Sequence, residues 1–240
     1  MSAQPAHQAP VIAFYSSWDG QRTYVSPGTV IKTLRQRRIP PHARILDIGF
    51  GNGEIALAVA RAFPDARVSG IDLTAHNVQM AKRKAREQGL ENVIFQVADA
   101  ESWQPPETPH HAIYAMQVMQ FIARPDDLLQ RIFLALKPGG AILFATPFLP
   151  PDPALHPFFL DAYARVIPNS FQYRTEDAWY AGLFDVGFER IYTAKAHWEP
   201  AAQPHSWQER FRRAVAEHGL DFETARRHAW GGLISARKPR

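Results

Sequence analysis

A ten-residue stretch near the start of the chain combines closely spaced glycines with two carboxylates. The stretch ILDIGFGNGE reads as a buried strand, a tight turn and the first residue of a helix. Alternating glycines let a turn bring its backbone close to a nucleotide, and here they are Gly49, Gly51 and Gly53. Asp47 precedes these glycines and Glu54 follows them. The turn should therefore bind a ligand that tolerates negative charge on both sides.

The two carboxylates disfavour a pyrophosphate and favour a cation. A dinucleotide loop has the spacing G-x-G-x-x-G and rests its pyrophosphate on the helix N-terminus. Here the spacing is G-x-G-x-G, followed directly by glutamate. Two like charges at about 4 Å repel by roughly 4 kcal/mol at an effective dielectric near 20. A nucleoside without phosphates that carries a sulfonium and an ammonium turns this repulsion into attraction.

The turn belongs to a regular alternation of strand-length and helix-length patterns. Such an alternation predicts a parallel sheet with helices on both faces. We expect an α/β fold: a Rossmann-like, doubly wound, mostly parallel seven-stranded sheet whose last strand is antiparallel. The predicted strands are 44–49, 67–73, 93–99, 112–117, 141–147, 188–198 and 231–238, and the helices between the first five are 54–63, 74–88 and 126–136.

Two segments interrupt this alternation, and we interpret both as helical lid insertions into a single domain of residues 1–240. Segment 150–174 is rich in proline and aromatic residues, and segment 200–229 is a helical pattern between the last two strands. The expected organisation is an N-terminal cover over residues 1–40, a cofactor-binding core over 41–149, and the two insertions.

Four pieces of the sequence, in order, resemble class I S-adenosylmethionine-dependent methyltransferases of the small-molecule type. ILDIGFGNGE matches the family's glycine loop, and GIDLT matches the end of its second strand. VADAES follows the third predicted strand, and LKPGG is the turn before the fifth. The resemblance covers residues 44–148 and implies S-adenosylmethionine as the cofactor. Four ordered pieces are far more specific than a glycine loop alone.

The resemblance also implies roles for individual residues. Asp72 corresponds to the acid that binds both ribose hydroxyls, and its place 23 positions after Gly49 fits a carboxylate at the top of the neighbouring strand. Asp99 and Ala100 stand where the family recognises the adenine amino group and ring edge; an ordinary turn is the alternative for Asp99. The expected cofactor-binding residues are Asp47, Gly49, Phe50, Gly51, Asp72, Leu73, Asp99, Ala100, Gln117 and Tyr24.

The sequence departs from the family pattern after the fourth strand, where the resemblance assigns no catalytic residue. The family often has Leu-His-His there, whereas this chain has Met119-Gln120-Phe121. No Asn/Asp-Pro-Pro-aromatic motif follows, which argues against methylation of base amines, and residues 116–120 include no acid, which argues against polyamine synthesis. We consider Gln120 for positioning and His156 as a catalytic base. The alternative for His156 is a surface residue or a helix cap.

The acceptor pocket should lie above the carboxyl ends of the strands, where ligands bind in doubly wound folds. Aromatic rings from the N-terminal segment and the first insertion suit a flat or apolar substrate, and an ordinary helix packed on the sheet is the alternative for that insertion. The candidate substrate-binding residues are Tyr15, Trp18, Phe148, Phe159, Tyr163 and Phe171.

Composition narrows the class of function. The 240 residues include no cysteine, and the ten histidines show no metal-ligand spacing, so we expect no metal and a cytoplasmic location. No apolar run is long enough for a membrane span. The net charge of +4 comes from scattered basic clusters, which favour solvated helix faces over a nucleic-acid surface. The oligomeric state stays open, a homodimer included.

We therefore predict an enzyme that transfers a methyl group from S-adenosylmethionine to oxygen or nitrogen of a small-molecule metabolite, with an aromatic natural product as one candidate. One alternative is an RNA or protein methyltransferase, which would need a coherent basic face or a recognition domain. The other is a member that keeps the cofactor but has been repurposed for chemistry without methyl transfer.

Overall fold

The computed structural model describes residues 25–166, 172–197 and 205–240. Its centre is one seven-stranded sheet with the strand order β3-β2-β1-β4-β5-β7-β6. The strands are β1 Arg44–Ile48, β2 Arg67–Asp72, β3 Val93–Val97, β4 His110–Met116, β5 Leu136–Pro147, β6 Glu189–His197 and β7 Trp230–Arg237. The helices are α1 Pro27–Gln36, α2 Glu54–Ala62, α3 Ala75–Glu87, α4 Pro125–Ala135, α5 His156–Val166, α6 Glu176–Val186, α7 His205–Glu217 and α8 Phe222–His228.

Strand directions confirm the predicted fold class. β1 pairs in parallel with β2 and β4, while the outer pairs β2–β3 and β4–β5 are also parallel. β7 lies between β5 and β6 and runs antiparallel to both. The carboxyl ends of the first five strands therefore meet at one edge, where a doubly wound fold binds its ligands.

Side chains of successive strand residues enter two cores on opposite faces of the sheet. Ile45 of β1 packs into the core shared with α1, α2 and α3, whereas Leu46 and Ile48 enter the core shared with α4 and α6. This alternation follows from the two-residue repeat of a strand. Burial on both faces explains why the central strands β1 and β4 read as nearly continuous apolar runs.

The structure extends one strand beyond its predicted start. β5 begins at Leu136 rather than at residue 141, so the LKPGG segment is the first part of the strand and not only a turn. Leu136 pairs with His110, and the register then shifts before Ala112 pairs with Ala141. Such an irregularity accommodates the Pro-Gly-Gly sequence without ending the ladder.

The segments predicted as insertions pack against each other around a third core. Phe158, Phe159 and Tyr163 of α5 are buried there with Phe211 of α7 and Ala225 of α8. Phe158 and Phe211 meet with ring centroids 5.7 Å apart. Across the described residues, no helix is both long and apolar enough to cross a bilayer.

Candidate functional site

The glycine turn after β1 has a backbone that other residues would not adopt easily. The φ angles of Gly49, Gly51 and Gly53 are 69°, 57° and 79°, which lie in the left-handed region. A Cβ at Gly49 would lie 2.4 Å from Val118 Cγ2, and one at Gly53 would lie 2.8 Å from Ala81 Cβ. The turn is therefore packed closely between the loop after β4 and helix α3.

A cavity of about 260 Å³ opens beside this turn. The start of α1 and the residue before it form one wall, and the glycine turn with the first residues of α2 forms another. Met116, the last residue of β4, lies at its base. The lining residues are Val25, Ser26, Pro27, Asp47, Gly49, Phe50, Asn52, Glu54, Ile55 and Met116.

Asp47 places a nearly inaccessible carboxylate in the cavity wall. Its side chain is 1 % exposed, and among the described residues its Oδ2 has no hydrogen-bond partner. Burial raises the pKa of Asp47 well above its ordinary value; the Tyr114 hydroxyl offsets part of this effect, and nearby Asp72 adds to it. A buried carboxylate without a partner is unfavourable unless it is protonated or meets a cation.

Glu54 adds a second carboxylate to the same cavity. It is exposed at the first turn of α2, where a negative charge also stabilises the helix. The structure thus places Asp47 and Glu54 in the lining of the same cavity, as their positions on either side of the glycines predict. A ligand group that enters between them is favoured if it is positively charged.

Asp72 is held in place by four donors at the end of β2. Its Oδ2 accepts from Gly51 N at 2.8 Å, and its Oδ1 accepts from Thr74 N at 2.9 Å, Thr74 Oγ1 at 2.7 Å and Asn77 Nδ2 at 3.2 Å. Burial raises the pKa of Asp72, while these hydrogen bonds lower it in part. The carboxylate therefore joins the glycine turn to the start of α3 in a fixed geometry.

Leu73, expected to bind the cofactor, and Asp99 and Ala100, expected to recognise its adenine, lie on the loops beside Asp72. Leu73 follows it directly, and Asp99 and Ala100 follow β3, the neighbour of β2 in the sheet. Asp99 Oδ1 accepts from Glu101 N at 2.9 Å, and the Ala100 carbonyl accepts from Arg131 Nη2 at 3.1 Å. These three residues do not line the 260 Å³ cavity. They lie at the same sheet edge, on the side of β2 and β3.

A row of buried amides and a hydroxyl spans the ends of β4 and β5. Gln117 has a φ of 62°, uncommon for a residue other than glycine. Gln120 Nε2 donates to Gln117 Oε1 at 3.2 Å, and Thr146 Oγ1 donates to Gln120 Oε1 at 3.5 Å. Gln117 Nε2 is buried without a partner among the described residues. This donor is available to a ligand that reaches the end of β4.

The aromatic candidates of the first insertion do not reach the cavity. Phe159 is fully buried and Tyr163 is 2 % exposed, and both belong to the core that α5 shares with α7 and α8. Their rings are therefore occupied by internal packing, and neither ring lines the 260 Å³ cavity. Phe148 is also buried, and it packs against Gly232 of β7.

His156 lies at the start of α5, half-buried. One ring nitrogen, Nε2, is 2.8 Å from the Pro150 carbonyl. A carbonyl only accepts, so this nitrogen carries the proton and Nδ1 is the basic one in the neutral ring. The predicted positions Tyr15, Trp18, Tyr24 and Phe171 lie outside the described residues.

Several cavity residues were not among the sequence candidates. Met116, which lines the cavity, ends β4 beside β1, and Tyr114, which does not line it, pairs directly with Asp47 in the β1–β4 ladder. Strand order could have pointed to both, since β4 must adjoin β1 in a doubly wound sheet. Val25, Ser26 and Pro27 carry no such signal, because their position depends on how α1 docks.

The fold and the site together define a class of protein: a doubly wound domain whose glycine turn and β2 acid form a nucleoside site without a phosphate loop. Residues 45–140 match the family model described as "Methyltransferase domain". These residues therefore form a domain similar to the class I S-adenosylmethionine-dependent methyltransferases, the family whose cofactor is S-adenosylmethionine.

Proteins with sequences similar to this chain are themselves named methyltransferases. A trans-aconitate 2-methyltransferase of Variovorax paradoxus is 30% identical over 135 residues, which are 56% of this chain and 49% of that protein. The chain thus spans about half the length of this curated relative. An uncharacterized methyltransferase of Bacillus subtilis, YcgJ, is 28% identical over 183 residues, 76% of this chain and 70% of its own.

Solved structures share the fold over most of the chain. The YcgJ crystal structure superposes with a TM-score of 0.72 at 22% identity and covers 89% of this chain and 98% of its own. The [4+2]-cyclase SpnF superposes with a TM-score of 0.70 at 21% identity and covers 98% of this chain and 97% of its own. At these identities the likeness concerns the fold alone.

Proposed function

We propose that this chain binds S-adenosylmethionine at the glycine turn and transfers its methyl group to oxygen or nitrogen of a small-molecule metabolite. The observation that carries the proposal is the buried Asp47 carboxylate, whose Oδ2 has no hydrogen-bond partner among the described residues and which shares a cavity with Glu54. A ligand with an ammonium group supplies the missing partner. A phosphate-bearing coenzyme would add a third negative charge to the same space.

The donor and acceptor groups present fit the proposed cofactor in three places. Asp47 and Glu54 suit its ammonium and sulfonium groups. Asp72, fixed by its four donors, suits the ribose hydroxyls on the neighbouring strand. Asp99 and Ala100, one strand further out, suit the adenine edge. This order follows the strand order β4-β1-β2-β3 along the ligand edge.

Bound S-adenosylmethionine supplies a methyl carbon activated by the sulfonium. The chain must then hold a nucleophile about 3–3.5 Å from that carbon and keep water away. Gln117 and Gln120 can donate hydrogen bonds there, but neither can remove a proton at neutral pH. We therefore propose an acceptor that arrives ionised, or one whose proton passes to Nδ1 of His156.

The similarity to a trans-aconitate methyltransferase supports an ionised acceptor. Trans-aconitate is a polycarboxylate, and a carboxylate oxygen attacks without prior loss of a proton. Because Phe159 and Tyr163 are buried in the insertion core, they give no support to a purely aromatic acceptor pocket. We rank carboxylates and other ionised oxygen acceptors before neutral aromatic phenols.

The experiment separates donor binding from methyl transfer. Purified protein is incubated with S-adenosylmethionine labelled in the methyl group and with panels of carboxylates, phenols and amines. The proposal expects label in a product from at least one panel, at a rate that falls strongly in Asp47→Asn. Saturable donor binding without labelled product from any panel would refute methyl transfer to such acceptors.

A second candidate function is chemistry that keeps the cofactor without transferring methyl. The near full-length superposition on SpnF, described as a [4+2]-cyclase, favours considering it. The amide row at the ends of β4 and β5 favours it too, because it holds no titratable group. Under this alternative an apolar polyene substrate is converted while the label stays on the donor.

A further inference from the structure

A second cavity, larger than the first, lies between α1 and the β6–β7 pair. Its volume is about 620 Å³, and no residue of the glycine turn lines it. We call it the basic groove, because six of its thirteen lining residues are lysine or arginine. These six are Lys32, Arg37, Arg38, Arg190, Arg237 and Arg240. The net charge of the whole chain is only +4, so the groove concentrates the excess positive charge in one place.

Two arginines form the floor of the basic groove with only neutral oxygen partners. Arg37 donates to the carbonyls of Arg190 and Ser235, each at 3.0 Å, and to Ser235 Oγ at 2.6 Å. Arg237 donates to the carbonyls of Gly139 and Arg37. Burial, and then the neighbouring guanidinium groups, lower the pKa of both arginines. The hydrogen bonds fix their positions without a carboxylate partner, and Glu189, which pairs with Arg237 in the β6–β7 ladder, attracts the Arg237 guanidinium.

The remaining cations surround this floor at the surface. In the part of the chain that the structure describes, the side chains of Lys32, Arg38 and Arg240 make no hydrogen bond or ion pair. The acid beside the groove is Glu189, whose Oε1 is 3.8 Å from Arg190 Nε. Both side chains of that pair are exposed, at 49% for Glu189 and 74% for Arg190, so their attraction is weak.

Two of these arginines occupy backbone positions that favour glycine. Arg38 follows the end of α1 with a φ of 52°, and Ile39 N bonds to Leu34 O at 3.2 Å to close the helix end. Glycine is the usual residue at such a position. Arg190 has a φ of 53° and lies where the β6–β7 register shifts, another place where glycine is common.

At both positions, glycine would adopt the observed backbone conformation with less strain than arginine does. Arg38 and Arg190 lie more than 150 residues apart in sequence. The hydrogen bond that Arg37, the neighbour of Arg38, makes to Arg190 spans 153 positions. Arg38 and Arg190 nevertheless line the same cavity. Neither packing nor backbone geometry accounts for this coincidence, whereas a ligand that requires both charges does.

We propose that the basic groove binds a multivalent oxyanion of the phosphate type, either a free phosphate chain or a phosphate ester. Planar guanidinium groups match the geometry of phosphate oxygens, and two of them are already fixed by neutral partners. The volume falls within the range of about 300–1,000 Å³ that is typical of small-molecule sites. Tyr192, 62% exposed, and Leu233 provide an apolar wall for the organic part of an ester.

The first experiment titrates the full chain with sodium tripolyphosphate at about 150 mM NaCl, a salt concentration that screens exposed charges beyond about 8 Å. We expect saturable binding with one site per chain. In Arg38→Gln/Arg190→Gln the affinity should fall at least about tenfold, the usual effect of losing a charged hydrogen bond. Both residues are exposed, so thermal melting should confirm that the variant folds normally.

The matched control is Lys82→Gln/Arg86→Gln, which removes two exposed charges from α3 and changes the net charge equally. It should bind tripolyphosphate as the unsubstituted chain does. Equal losses in the two double variants would overturn the proposal, because they would indicate a bulk electrostatic effect. Absence of saturable tripolyphosphate binding by the unsubstituted chain would overturn it as well.

Two further probes identify the source of the phosphate. Tighter binding of adenosine triphosphate than of tripolyphosphate would assign the groove to a phosphate ester, and the reverse order to a free phosphate chain. A single-stranded RNA that binds more tightly than either, with the same loss in Arg38→Gln/Arg190→Gln, would contradict a small-ligand site. None of these measurements depends on methyl transfer, so the proposed function stands or falls separately.

Discussion

Replacing Asp47 by asparagine removes a charge from the cofactor cavity while nearly preserving the size of the side chain. Asp47 is 1 % exposed and its Oδ2 lacks a partner among the described residues, so a ligand ammonium is its natural counterion. A hydrogen bond to a charged group contributes about 1.5–3 kcal/mol. We therefore expect the Kd for S-adenosylmethionine to rise about 10- to 100-fold in Asp47→Asn.

The same substitution should stabilise the protein without ligand. Burial raises the folded-state pKa of Asp47 above its unfolded value. Between these two pKa values the native state binds more protons than the unfolded state, so stability falls as pH rises. As pH rises above the unfolded-state pKa, burial of this carboxyl therefore makes the folded state progressively less stable. Asparagine avoids this cost, so the Tm of the free protein should rise.

The assay combines calorimetric titration with thermal melting over a range of pH. In the unsubstituted chain, affinity for S-adenosylmethionine should fall as pH falls through the pKa of Asp47, because a protonated carboxyl cannot pair with a cation. Asp47→Asn should lack this dependence. The matched control is Asp185→Asn, the same change at an exposed position of α6. Unchanged affinity in Asp47→Asn would refute the role assigned to this carboxylate.

Three further substitutions test the surroundings of the site. Asp72→Asn should also weaken S-adenosylmethionine binding about tenfold or more, yet lower the Tm, because an amide cannot accept from all four donors; calorimetry and melting separate it from Asp47→Asn. Gly49→Ala should lower the free energy of unfolding in urea by about 1–3 kcal/mol, because its Cβ would lie 2.4 Å from Val118 Cγ2. A free energy of unfolding equal to that of the unsubstituted chain would contradict the turn geometry. Phe159→Ala should cost about 3–5 kcal/mol of stability and leave the Kd of the folded protein for S-adenosylmethionine within about twofold; a large change in that Kd at full folding would return Phe159 to the site.

Much of the fold could be predicted from sequence because the central strands of the sheet are buried on both faces. The strands β1, β2 and β4 appear as apolar runs, and their order follows from the alternation with helices. The sequence does not predict the start of β5, because the local residue preferences of Lys-Pro-Gly-Gly favour a turn. Pairing with β4 across a register shift overrides that preference.

The site was predictable where one local segment determines it. Asp47 and Glu54 flank a turn of fixed geometry, so their sequence spacing already sets their positions relative to the glycines. The aromatic residues of α5 were not predictable in this way. Apolar rings four residues apart, such as Phe159 and Tyr163, suit a ligand wall and a packed core equally. The outcome depends on α7 and α8, which lie 40 or more residues further along the chain.

The basic groove shows the same limit for charge. In the sequence, Arg37 and Arg38 and the C-terminal residues form separate clusters, which is typical of solvated helix faces. The sheet order places β7 beside β6 and brings Arg237 and Arg190 to α1. Only the folded structure brings these basic side chains, which are scattered in the sequence, together around one cavity.

The central claim is that the anionic glycine turn selects a positively charged nucleoside over a coenzyme with a pyrophosphate. Titrating the purified chain with S-adenosylmethionine and with NADH under identical conditions tests this claim most directly. We predict saturable micromolar binding of S-adenosylmethionine and no measurable binding of NADH at the same site. Displacement of bound S-adenosylmethionine by NADH at comparable concentration would contradict it.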